Sequence, residues 1–137
     1  MALNLRSLLR RWSLAAGGLT FLGIAILTLI FPKQVAWAYA YSLPSGDAFI
    51  EFGAIFVGFW LGLAVLLLTA AKRLDNVLLG NLGALAILLQ ALGRPVGLWL
   101  LCPRLLESCE ASPRFVLAFV LELAISLTAL ATRPRTA

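Results

Sequence analysis

Long apolar runs alternate with short polar interruptions along this chain. A helix needs roughly 20 mainly apolar residues to cross a hydrocarbon core of about 30 Å. Four stretches meet that requirement: 12–31, closed by Pro32 and Lys33; 48–71, stopped by Lys72 and Arg73; 77–101; and 115–132, stopped by Arg133, Pro134 and Arg135. Strand-like alternation competes with them only over 35–41. Consecutive spans must alternate in direction. The pattern therefore predicts an all-α fold, one transmembrane domain over 1–137, built as an antiparallel up-down-up-down four-helix bundle.

The first run resembles a signal peptide: Arg6, Arg10 and Arg11 precede it, and Ala36-Trp37-Ala38-Tyr39-Ala40 follows it like a cleavage site. A signal's apolar region is about 7–15 residues, and this run is longer, which predicts a retained helix. Composition agrees with a lipid-embedded chain. Hydrophobic residues make up 62% and charged residues 12%, against about 45–50% and about 25% in soluble domains.

Net charge is +5, but the basic residues sit in short pieces between apolar runs rather than on a polar face. That distribution excludes nucleic acid as the expected partner and fits charge used for orientation. Arg6, Arg10, Arg11, Lys72, Arg73, Arg133 and Arg135 lie on the side of the termini, against Asp75 alone. The other side mixes Lys33, Arg94, Arg104 and Arg114 with Asp47, Glu51, Glu107, Glu110 and Glu122. The positive-inside rule places both termini in the cytoplasm, in a multi-pass cell-membrane protein of bacterial inner-membrane type. Trp37, Tyr39 and Tyr41 suit the headgroup zone, as an interfacial belt or as an aromatic ligand site.

Three ionisable residues fall in or near the spans: Glu51, Arg94 and Glu122. At a rise of about 1.5 Å per residue, Arg94 and Glu122 each lie roughly 12 Å below the outer ends of their helices, in one layer. Charges in lipid are costly and turn toward a bundle interior, so an Arg94–Glu122 pair is expected, with Glu51 nearer the surface. Each helix carries a small or polar stripe that suits an inward face: Glu51, Ala54, Gly58 and Gly62; Gly83, Ile87, Gln90, Arg94 and Gly97; Ala118, Glu122, Ser126 and Ala129. Gly58 and Gly62 form a GxxxG pair, a surface for close helix packing. Pro95 removes the hydrogen bond to the Ala91 carbonyl, which either loosens the helix beside Arg94 or is simply tolerated. The polar set Glu51, Gln90, Arg94, Glu122 and Ser126 is compatible with a purely structural pair, with a ligand site, or with ion passage. The last is poorly served by the few polar residues of the inner half.

The chain has no histidine and two cysteines, too few for a thiolate zinc site; no metal or cofactor is expected. Cys102 and Cys109 share the second outer loop, where an oxidising periplasm favours a disulfide. A redox pair would ordinarily be a tighter CxxC.

Phe52-Gly53-Ala54-Ile55-Phe56-Val57-Gly58, Ala91-Leu92-Gly93-Arg94 and Glu122-Leu123 together resemble the uncharacterised four-helix membrane family called domain of unknown function 4345. The resemblance spans most of the chain and implies a compact bundle in which Arg94 and Glu122 are paired. It implies no activity. The segment from Cys102 to Cys109 departs from that family's polar turn. No nucleophile or metal motif points to an enzyme. Two classes of function remain: a non-catalytic accessory subunit lodged among other membrane protein subunits and lipid, or a binder or carrier of a lipid, quinone or similar amphiphile that uses a buried Glu-Arg-Glu cluster.

Overall fold

The computed structural model describes residues 4–39, 41–101 and 113–134. They form helices, with no strand among the described residues. Four helices are long and apolar enough to cross a bilayer, and the chain is a multi-pass membrane protein. Helix α1 spans Leu5–Ile30 and α2 is a short helix, Pro32–Ala38. Helix α3 spans Gly46–Lys72, α4 spans Val77–Trp99 and α5 spans Pro113–Ala131. Cys102 and Cys109, and with them the expected disulfide, lie outside the described residues.

Local chemistry sets the helix ends. α1 begins at Leu5 rather than near residue 12, because Asn4 caps it. The Asn4 side chain accepts from the Arg6 N–H at 3.3 Å, and Ser7 Oγ donates to the Asn4 carbonyl at 2.7 Å. The first of these satisfies an N–H that a bare helix start leaves unpaired, and the second anchors the Ser7 hydroxyl on the capping residue. Arg6, Arg10 and Arg11 therefore stand on the helix, not ahead of it. Ser45 caps α3 through the Ala48 N–H, and Asn76 caps α4 through the Leu79 N–H. α5 starts on Pro113, whose missing N–H is no loss at a first helical position.

The four spans close into a ring. α1 packs against α3 on one side and α5 on the other; α4 packs against α5 and meets α3 more sparingly. The turn between α3 and α4 is tight, with the Asn76 N–H donating to the Arg73 carbonyl at 3.0 Å. It joins the two at the end of the bundle that carries Arg6, Arg10, Arg11, Lys72, Arg73 and Arg133, here called the basic end. Leu14, Phe21, Leu67, Ala84, Ile87 and Ala129 form the centre of the apolar core. Gly83 lets α4 approach α3 closely near this end: a Cβ there would stand 2.8 Å from Leu67 Cδ2.

Away from the basic end, α3 and α4 part, and both helices widen. α3 passes through a π-helical turn at Ala54–Phe59, and α4 becomes π-helical from Gly97, two residues beyond Pro95. The buried face of α3 here is aromatic: Phe52, Phe56 and Trp60, spaced four apart. That corrects the expected inward stripe. Glu51, Ala54, Gly58 and Gly62 are exposed, and a Cβ at Gly58 or Gly62 would meet nothing within 4 Å. The rings of this face pack toward α1 and the end of α2, with Trp60 edge-on to Phe21 at 5.6 Å and to Tyr39 at 5.8 Å.

Candidate functional site

The polar layer in the half of the bundle away from the basic end is built from α4 and α5. Gln90 and Arg94 stand one turn apart on α4, and Glu122 faces them from α5. Arg94 Nε donates to Glu122 Oε2 at 3.0 Å and Nη2 donates to Oε1 at 2.6 Å. This two-pronged geometry matches the planar guanidinium to the carboxylate plane. Gln90 Nε2 donates to the same Glu122 Oε1 at 3.2 Å. A carboxylate only accepts, so this bond fixes the orientation of the Gln90 amide. Its Oε1 is then turned the other way, buried and without a partner. Buried polar atoms are nearly always satisfied, so an orphan acceptor calls for a physical explanation.

That oxygen belongs to a residue lining a cavity of about 680 Å³ between α3 and α4, together with Arg94, Phe56, Trp60, Tyr39 and Tyr41. The aromatic side is a packed wall. Phe52 and Phe56 stack at 4.3 Å, and Phe56 and Trp60 lie 4.4 Å apart. Tyr39 meets Phe56 edge-on at 5.1 Å, and Tyr41 does so at 5.5 Å. Burial pushes the Tyr39 phenol above its ordinary pKa; Arg94 pulls the other way and Glu122 adds to the rise. Tyr39 therefore stays a neutral donor at physiological pH. Ile55, Phe59 and Leu89 also line the cavity, and all three are exposed.

Arg94 also lines a second space of about 630 Å³, between α2 and the start of α5. There Arg114 Nη1 donates to the Ala38 carbonyl at 3.3 Å, and its guanidinium lies 5.4 Å from the centre of the Trp37 ring. The three aromatic residues between α1 and α3 thus divide by contact: all are exposed, but Tyr39 and Tyr41 pack edge-on against the aromatic wall, whereas Trp37 faces Arg114.

The sequence-derived polar set divides as well. Gln90, Arg94 and Glu122 are together. Ser126 is wholly buried but donates to the Leu123 carbonyl of its own helix at 3.1 Å. Glu51 is exposed, and among the described residues it forms no ion pair. The expected buried Glu-Arg-Glu cluster is one carboxylate and one guanidinium, because the aromatic rings occupy the inward face of α3.

Two features escaped the sequence reading. The first is the aromatic wall, whose signal was the spacing of Phe52, Phe56 and Trp60. The second is Arg10, which in sequence is one of three basic residues suited to orienting the chain. Arg10 is 1% exposed. Its Nη1 donates to the Ala129 carbonyl at 2.8 Å, and its Nη2 donates to the Val77 carbonyl at 3.2 Å and to Asn81 Oδ1 at 2.9 Å. Gly80 makes the room, since a Cβ there would collide with the guanidinium. Arg10 thereby ties α1 to the start of α4 and the end of α5. Comparison of the chain with protein-family models, with curated proteins and with solved structures returns no match.

Proposed function

We propose that this protein binds an amphiphile that enters the cavity between α3 and α4 from the bilayer. The observation that carries the reading is the orphan Gln90 Oε1, a buried acceptor on a residue that, with Arg94, lines a cavity walled mostly by aromatic and aliphatic side chains. A ligand that answers it presents a hydroxyl or N–H to Gln90 and an acceptor to the exposed edge of Arg94. A flat ring against Phe56 and Trp60 and an apolar tail leaving past Ile55 and Leu89 complete the match. A quinol-type or small neutral lipid head has these parts. Glu122 neutralises Arg94, which favours a neutral head over a strongly anionic one. The same reading has both termini in the cytoplasm, supported by the excess of basic residues at their end of the bundle.

A second reading, that of an accessory subunit in a larger membrane complex, is favoured by the exposed Gly58 and Gly62 face, which none of the described helices covers. One purification separates the two. The protein is extracted from its native membrane in mild detergent, and co-purifying molecules are identified by mass spectrometry. The Gln90→Leu variant is treated in parallel. On the binding reading an amphiphile accompanies the wild type and is depleted at least tenfold in Gln90→Leu, the scale of one or two lost hydrogen bonds. The reading fails if nothing accompanies the wild type, or if the same molecule persists undiminished in the variant. A protein at fixed stoichiometry in both samples would instead establish the subunit reading.

A further inference from the structure

The basic end holds a second cleft, of about 470 Å³, between the start of α1 and the end of α3. Leu8, Leu68 and Ala71 form apolar walls, Trp12 stands at one side, and Arg11 and Lys72 both line it. The basic residues at this end are not equivalent. Arg10 is consumed by carbonyl and amide oxygens inside the bundle. Arg11 and Lys72 are exposed, and among the described residues neither forms an ion pair. Helix packing has brought two like charges to one cleft with no carboxylate between them, an arrangement that an anion relieves.

We infer that this cleft is a binding site for the phosphate head of an anionic phospholipid. The charges supply one half of the match. Trp12, exposed and amphipathic, belongs at headgroup level, and the apolar walls below it receive the start of an acyl chain. Basic pockets between membrane helices are suited to such heads, each nearby cation adding to the attraction. The ligand is a lipid rather than free phosphate, because an inorganic anion would gain nothing from Leu8, Leu68 and Trp12. This site is independent of the cavity at Gln90, and neither inference depends on the other.

The test is native mass spectrometry of the full-length protein in detergent. Dioleoyl phosphatidylglycerol, dioleoyl phosphatidylcholine and inorganic phosphate are titrated separately and in competition. The wild type is expected to retain phosphatidylglycerol over phosphatidylcholine by on the order of tenfold, as two cations near a headgroup provide. The double variant Arg11→Gln, Lys72→Gln should lose that preference. The charge-matched control Arg6→Gln, Arg73→Gln, at basic residues that do not line the cleft, should keep it, and Arg11→Lys, Lys72→Arg should keep most of it. Equal loss in the control would overturn the site in favour of diffuse surface charge. So would absence of any preference in the wild type, or displacement of the lipid by phosphate alone. If the double glutamine variant does not fold, the control and the charge-conserving variant decide: the site stands if both keep the preference and falls if either loses it.

Discussion

The bundle contains two inward arginines at opposite ends, and they are accommodated in different ways. Arg94 faces a carboxylate, with which it shares two hydrogen bonds, and it stays 20% exposed toward the cavities around it. Arg10 has only neutral oxygens as partners among the described residues and is closed off almost completely. One of these oxygens, the Ala129 carbonyl, lies in the last turn of α5. Carbonyls there lack helical partners and carry the negative end of the helix dipole. A helix end can therefore stand in for an acid when the cation is held rigidly against it. The lesson concerns roles. A charge bound on every side by its own bundle is a fastening, whereas a charge left partly open beside an orphan amide oxygen is available to something else.

The largest effect that would sharpen this contrast is expected for Glu122→Ala. It leaves the Arg94 guanidinium without its counter-charge, at a cost of about 3–5 kcal/mol. The paired replacement Arg94→Met, Glu122→Leu should recover most of that loss. Reversible unfolding in mixed dodecylmaltoside–dodecylsulfate micelles measures both. Arg10→Met comes next, at about 2 kcal/mol, because it deletes hydrogen bonds but strands no opposite charge. If it cost more than Glu122→Ala, the distinction between the two ends would fail. The smallest effects separate the packed glycines from the open ones. Gly83→Ala must displace Leu67, which is fully buried, and should cost roughly 1 kcal/mol net of the gain in helix propensity. Gly62→Ala has open space around its new methyl, and should leave stability unchanged or raise it by under about 1 kcal/mol.

Much of the architecture was legible in the chain because lipid imposes a simple rule: length and apolarity mark the spans, and their number fixes the alternation. The Arg94–Glu122 layer was legible for a related reason, since rise per residue converts sequence position into depth. What depth cannot give is rotation. Glu51, Gly58 and Gly62 do share one face of α3, but it points outward, and the bulky neighbours Phe52, Phe56 and Trp60 point in. That choice depends on the neighbours α3 packs against, Phe21 of α1 and Tyr39 after α2, which no local spacing encodes. Arg10 was hidden for another reason. In sequence it is one of three basic residues ahead of an apolar run, and only the Asn4 cap, by starting the helix early, carries it into the bundle. Its receptors, Val77, Asn81 and Ala129, are remote along the chain.

The tight turn between α3 and α4 makes these helices resemble the covers of a book bound at one edge. Their free edges open sideways into oil rather than toward water. Whatever enters this wedge is sampled from the crowded two-dimensional pool of the membrane, where sparingly soluble molecules accumulate. On the binding reading proposed above, an occupant held by two hydrogen bonds and a few rings can thus fill the wedge at steady state and still leave quickly.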